Sequence, residues 1–327
     1  MTDPDRRRLI LACAAGAALG TGPARASAEY PRRAVRIVVP YSVGVGPDVV
    51  ARSVAERLAL RWGQSVIVDN KPGGSGIVAF GEVRQAVPDG HTLFLADTAT
   101  LVVNPLLHAT LPYDPARDLV PLTLLFRATF VIWVGGGHRF RSITDLLDAA
   151  RRAPDTVSYG SLGNGHASQV AIESFARAAG VRLLHVPFKD AGMLLAAVAA
   201  GTVDFTAFSV NTVGALMTAN RMKPLAVAAR QRLAALPGLP TLVEAGGPPV
   251  EMHPWAALVA VSGTPVPVID QLLADLSATL ATAEVRGRAE RAGFEITPST
   301  PQALQERIEA DQAQVRPLVA EGRLARM

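Results

Sequence analysis

Val35-Arg36-Ile37-Val38-Val39-Pro40-Tyr41-Ser42-Val43-Gly44-Val45-Gly46-Pro47-Asp48 is the stretch on which the fold turns. Its first six residues form a β-branched run closed by proline, which reads as a buried strand. From Asp48 to Trp62 apolar residues recur at helical spacing. Between the two lie glycines whose bare backbone lets amides approach an anion, and Pro47, which suits a first helical turn. Strand, glycine loop and helix in that order make half of a crossover unit, the device that builds parallel sheets.

The alternation continues outward. A strand is expected over 65–68, a helix over 77–86 and a strand over 92–96; after the apolar run 119–134 come helix 142–152, strand 157–160, helix 168–179, strand 183–186, helix 193–200 and strands 205–208 and 225–228. Ser142 with Asp145 fits a helix-starting box. The stretch 236–249 is rich in Pro and Gly, 255–261 reads as a return crossing, and helices follow over 266–282, 283–292 and 300–324. The expectation is an α/β protein of two domains, each a mostly parallel sheet flanked by helices. Residues 29–130 with 254–327 form a discontinuous first domain, and 131–253 are inserted as the second. A chain of 327 residues exceeds what one growing core holds.

Residues 1–28 are set apart as a leader. Arg6-Arg7-Arg8 is a basic start, 9–22 an apolar stretch shorter than a spanning helix, and Ala26-Ser27-Ala28 a small-residue cleavage site. Arg7-Arg8 also fits a twin-arginine signal, and the choice between the two export routes stays open. The only cysteine, Cys13, lies in this leader, so the mature chain forms no disulfide. Loss of four arginines and two aspartates with the leader takes the formal charge from +4 to +2. Scattered basic residues and 5% aromatics leave neither the charge footprint nor the stacking platforms of a nucleic-acid binder.

Three glycine loops follow strands at the carboxyl edge, where open α/β sheets bind ligands. The first, 41–48, is either anion-facing or a tight connection. As a dinucleotide fingerprint it has Gly44 and Gly46, with Asp69 placed for a ribose, but Val49 stands at the third glycine position. The second, 70–76, lacks both the phosphate-loop ending and the nucleophile-elbow pattern and reads as turn chemistry. The third, Gly160-Ser161-Leu162-Gly163-Asn164-Gly165-His166-Ala167-Ser168, offers hydroxyls, an amide and bare backbone amides before a helix. It is the strongest anion-site candidate. His166 reads either as a ligand contact or as structural, and His185 as packed or capping; Trp255 and Phe188 are core or hinge more readily than pocket wall. No His, Cys, Asp or Glu pair has metal-ligand spacing, so neither a metal nor a cofactor is expected.

The sequence resembles the extracytoplasmic solute receptors of tripartite tricarboxylate transporters, the Bug family, over essentially all of 30–327. The stretches that carry this are Tyr30-Pro31, 40–48, Gly63-Gln64, 70–76, Pro88-Asp89-Gly90, Asn104-Pro105, 111–115, 159–168, 185–189, 201–204, 236–246 and Gly263-Thr264-Pro265, in matching order and spacing. The resemblance implies a type II periplasmic-binding-protein fold with the ligand cleft between its domains. It also implies a non-catalytic periplasmic role: a monomer that captures a small organic acid and delivers it to membrane transporter subunits. Residue by residue, Tyr41, Gly44 and Asp48 match the first ligand loop, Thr98 and Ala99 the turn after the third strand, and Ser161, Asn164, Gly165, His166 and Ser168 the second-domain loop. Ser209 matches a further pocket position. Two departures matter. Pro47 stands where such receptors carry Thr or Ser, removing a hydroxyl and an amide donor. Phe208 stands where amino-acid-binding members place an Asp, which implies an acid without an amine. A sensor subunit presenting its ligand to a membrane kinase is the alternative, and an NAD-dependent α/β enzyme a remote one.

Overall fold

The computed structural model describes residues 30–327. The leader read over 1–28, with its arginines and Cys13, lies outside the described residues. Two sheets organise the chain. The first holds β1 (Val35–Val39), β2 (Val66–Asn70), β3 (Thr92–Asp97), β4 (Leu119–Arg127), β10 (Trp255–Val261) and β11 (Glu295–Ile296), in the order β11-β4-β10-β3-β1-β2. The second holds β5 (Val131–Gly135), β6 (Ser158–Ser161), β7 (Leu184–Pro187), β8 (Phe205–Phe208) and β9 (Met222–Val227), in the order β7-β6-β8-β5-β9.

Both sheets are mixed: β1 pairs parallel with β2 and β3, and β6 with β7 and β8, while the pairings of β5, β10 and β11 are antiparallel, for β5 and β10 from one cause. Strand β5 carries the chain from the first sheet into the second and runs antiparallel to β8 and β9. Strand β10 brings it back and runs antiparallel to β3 and β4. A segment arriving from the neighbouring sheet enters at the carboxyl edge of the parallel strands, so it has to run against them.

The β-branched runs are buried on both faces, as parallel strands are when helices cover each side. Val35, Ile37 and Val39 join one core cluster with Val50, Val54 and Leu58 of helix Gly46–Trp62, while Val38 faces a second cluster with Phe80 and Phe94. The second sheet is covered likewise. Ile132, Tyr159 and Phe205 meet Phe175 of helix Ala167–Ala178 on one face, and Val131, Trp133 and Val227 meet Leu194 of helix Ala191–Ala200 on the other. The Ser142 box is formed: its hydroxyl accepts from Asp145 N at 3.1 Å, and the Asp145 carboxylate accepts from Ser142 N at 3.1 Å.

Three expectations change. The apolar run 119–134 is two strands, one in each sheet, separated at 128–130, because a segment that leaves one core for another stays apolar throughout. Helix Val210–Thr218 went unread between two strand signals; its apolar spacing, Val210, Val213, Leu216 and Met217, is there but short. The last helix ends at Ala320, and a tail over 321–327 continues beyond it.

The two crossings lie side by side. Ala128 N donates to Pro254 O at 2.8 Å and Phe130 N to Met252 O at 3.0 Å. His253 sits between them, near Thr129 Oγ1 at 3.1 Å and Glu251 at 3.2 Å, and burial leads the causes that hold its pKa below 6.5. His138, beside Asp204 at 3.1 Å in the second sheet, is lowered first by burial as well. Among the described residues no helix is long and apolar enough to cross a membrane.

Truncating Phe175, fully buried in the second sheet's core, to Ala is expected to cost about 3–5 kcal/mol. Urea unfolding measures this, and a loss below about 1 kcal/mol would contradict the packing. The histidines set a pH trend. A folded pKa below the unfolded value of 6.5 means that the unfolded chain binds the proton first. Stability is therefore complete above pH 6.5 and drains as the pH falls toward the lowered folded values. Thermal unfolding at stepwise pH checks this; a midpoint that does not fall below pH 6.5 refutes it.

Candidate functional site

The carboxyl ends of β1, β3, β6 and β8 each run directly into a loop and a helix start, and all four loops gather at the seam between the sheets. Contacts across the seam hold them there. Asn164 Nδ2 donates to Ala325 O at 3.0 Å, and Asn211 Nδ2 donates to Glu290 O and Arg291 O at 3.1 and 2.9 Å. Gly165 has φ +74°, a conformation that favours glycine, and a Cβ there would lie 3.0 Å from Leu107 Cδ1 of the facing lobe.

Most side chains expected at the site are committed to the scaffold. The Asp48 carboxylate is buried and accepts from Gly44 N at 2.8 Å, Arg52 Nε at 2.9 Å and Asn70 Nδ2 at 2.7 Å. Burial pushes its pKa up, and the Arg52, Gly44 and Asn70 hydrogen bonds more than offset that, holding it below the usual range. Asp48 thus ties loop 41–48 to β2. The Tyr41 hydroxyl donates to Asp97 Oδ2 at 2.6 Å, so its proton is already given; burial and then the Asp97 charge raise the phenol pKa well above its ordinary value. Thr98 Oγ1 lies 3.3 Å from Trp255 O.

The second-sheet loop follows the same rule. Ser161, fully buried, donates to Gly163 O at 3.1 Å and lies 2.6 Å from His185 Nε2. The Ser168 hydroxyl, equally buried, lies 2.8 Å from His166 Nδ1 and accepts from Leu162 N at 3.3 Å. Ser209 Oγ meets Thr212 Oγ1 at 3.0 Å. Phe208 is buried, with its ring 5.9 Å from that of Phe130, and its carbonyl accepts from Trp133 Nε1 at 2.9 Å. It packs where the chain crosses between sheets.

What remains free is backbone. Helix Gly46–Trp62 begins after Val45, the wide helical turn Ala99–Val103 after Thr98, and helix Val210–Thr218 after Ser209; none is capped by its own N-cap side chain, though Asp97 Oδ1 accepts from Thr100 N at 2.8 Å in the second. The first amides of a helix have no partner within it, and an uncapped start offers them, with the positive end of the helix dipole, to an anion. Only helix Ala167–Ala178 is capped, by His166 Nδ1 accepting from Ser168 N at 3.1 Å. That bond leaves the ring proton on Nε2. Burial pushes the His166 pKa down to about 4, with Asp97 across the seam opposing, so the ring is neutral at pH 7 and donates without carrying charge.

Three participants were missed in the sequence. Asp97 stood one residue before the expected turn, Gln169 one residue past the expected loop, and Asn211 in the unread helix. No spacing signal ties Gln169 to His185 or Asn211 to 290–291; the first pairing arises when helix Ala167–Ala178 packs on the second sheet, the second when the two sheets meet. Asp69, weighed as a ribose-binding acid, instead pairs with Arg36 at 3.1 Å. Among the described residues no group of three His, Cys, Asp or Glu side chains is placed to hold a metal.

Comparison with known proteins accords with this geometry. The family model described as the tripartite tricarboxylate transporter family receptor matches residues 50–324. The UPF0065 protein of the tcbD-tcbE intergenic region in Pseudomonas sp. strain P51 is 32% identical over 98% of this chain and 95% of its own length. Among solved structures, R. palustris Rpa4515 with adipate is 30% identical with a TM-score of 0.81, covering 91% of this chain and all of that one. MatC from Rhodopseudomonas palustris with bound malate is 27% identical with a TM-score of 0.77, covering 89% of this chain and all of that one. Two helix-flanked sheets, the family match along most of the chain and these relatives agree: the protein belongs to the tripartite tricarboxylate transporter receptor family.

Proposed function

We propose that this chain is an extracytoplasmic, periplasmic receptor. It captures a small organic acid and hands it unchanged to a membrane transporter of the tripartite tricarboxylate type. The observation that carries the reading is the set of three helix starts, after Val45, Thr98 and Ser209, gathered at one seam and none capped by its own N-cap side chain. A carboxylate placed there accepts from first-turn amides that the helices themselves leave unpaired, Thr100 N being taken by Asp97, and His166 Nε2–H adds a neutral donor. The Arg52 guanidinium is held by Asp48 and by Asn70, the latter at 2.7 Å.

Recognition by main-chain amides suits a carboxylate and leaves the rest of the ligand to shape. Asp97 already accepts from Tyr41, Thr100 N and the Thr100 hydroxyl, and Phe208 provides no charge. The ligand is therefore an acid without an amine, in keeping with the adipate and malate held by relatives. The two lobes, 29–130 with 254–327 and 131–253, close on it about the paired crossings. Closure excludes water from the amides, which strengthens each bond.

Isothermal titration with adipate and malate is expected to give a dissociation constant of about 1 μM for a preferred acid, roughly −8 kcal/mol. Chemical turnover of the acid would overturn the reading. Removing both loop hydroxyls, Ser161→Ala with Ser168→Ala, is expected to weaken that binding about tenfold, or ~1.4 kcal/mol, by loosening the loop that presents the amides. An unchanged affinity in the folded double variant would take loop 160–168 out of the site.

A further inference from the structure

Gln169 and His185 are joined to the glycine loop by a hydrogen-bond chain whose direction the geometry settles. The Gly165 amide can only donate, so the Gln169 atom 2.7 Å from it is the carbonyl oxygen Oε1. The other end of that side chain, Nε2, then faces His185 Nδ1 at 3.2 Å and donates to it. Nδ1 is therefore bare and the ring proton sits on Nε2. That N–H donates to Ser161 Oγ at 2.6 Å, and the Ser161 hydroxyl gives its own proton to Gly163 O at 3.1 Å. The chain begins at the amide of Gly165 and ends at the carbonyl of Gly163, so both of its ends lie in the loop.

Each member has one donating and one accepting role, and the order works only with a neutral imidazole. A second proton on His185 would aim Nδ1–H at the Gln169 amide protons. Turning that amide over to accept it takes Oε1 away from Gly165, whose buried N–H is then left without a partner. The surroundings favour the neutral ring. Tyr159 of β6 stacks on it with centroids 5.0 Å apart and donates its hydroxyl to Glu173, which pairs with Arg323 of the tail at 3.3 Å. His166, on the same loop, is coupled through Ser168 and neutral as well. Burial is what holds the His185 pKa below its ordinary value.

We propose that Gln169 and His185 are positioning residues of the anion loop: their one-way chain sets the backbone at 163–165, and the loop's grip on a carboxylate fails when His185 takes up a proton. This rests on the receptor reading above for its ligand, though not for its geometry.

Gln169→Glu reverses the demand at that position. A carboxylate accepts from both Gly165 N–H and a charged His185 Nδ1–H, while Nε2–H still serves Ser161. Titrations with adipate, or malate if that binds tighter, compare the variant with the wild type at equal pH, so the acid's own titration and that of His166 cancel. With the ratio of wild-type to variant dissociation constants set to one at pH 7, it is expected to rise about fivefold or more by about pH 4.5. A ratio that stays flat overturns the proposal.

A ligand-free arm separates the two readings. Nitrogen-15 NMR of the wild type at neutral pH is expected to show His185 protonated at Nε2 alone. In Gln169→Ala, Gly165 amide exchange is expected to quicken about tenfold. An Nδ1–H tautomer, or unchanged exchange, overturns the chain whether or not any acid binds. Failure of both acids to bind counts against the function instead.

Discussion

The chain passes twice between its two sheets, and each passage enters at the carboxyl edge of parallel strands. That requirement accounts for β5 and β10 running against their neighbours. It also places the carboxyl ends of β1, β3, β6 and β8 at the same seam, each followed by a helix whose first amides have no partner within it. The hydrogen bonds between 128–130 and 252–254 hold the passages together. Everything proposed about ligand capture follows from this meeting of helix starts.

The seam keeps its side chains busy elsewhere. Asp48, Tyr41, Ser161, Ser168 and Asn164 were expected as ligand contacts, and each bonds to the scaffold. A buried polar group without a partner costs roughly 1–3 kcal/mol, and these groups satisfy one another. The first amides of a helix are donors that its own ladder does not use. In the proposed mode of capture, recognition by fixed dipoles avoids burying a lysine or arginine, whose desolvation would offset much of its attraction to the anion. Pro47 fits this logic. It lacks an amide donor, and at the first turn of helix Gly46–Trp62 that donor would have had no intrahelical partner.

Much of the fold is legible in the sequence. The run Val35-Arg36-Ile37-Val38-Val39, apolar at nearly every position, told of a strand covered on both faces, and the Ser142 box started its helix where expected. Helix Val210–Thr218 was lost because nine residues hold too few turns for the period to stand out between two strands. The run 119–134 showed its apolarity and hid its break, since hydrophobic content does not say into which core a residue goes.

By itself the sequence determined the alternation of strands and helices, the glycine loops at strand ends and the family, because these depend on local period, local backbone freedom and ordered motifs. Only the tertiary structure decided which donors remain free. Whether the Tyr41 hydroxyl is available depends on Asp97, 56 residues away, and the proton of His185 depends on Gln169 in another element. Hydrogen-bond capacity is shared among groups brought together by folding, and no spacing along the chain records that division.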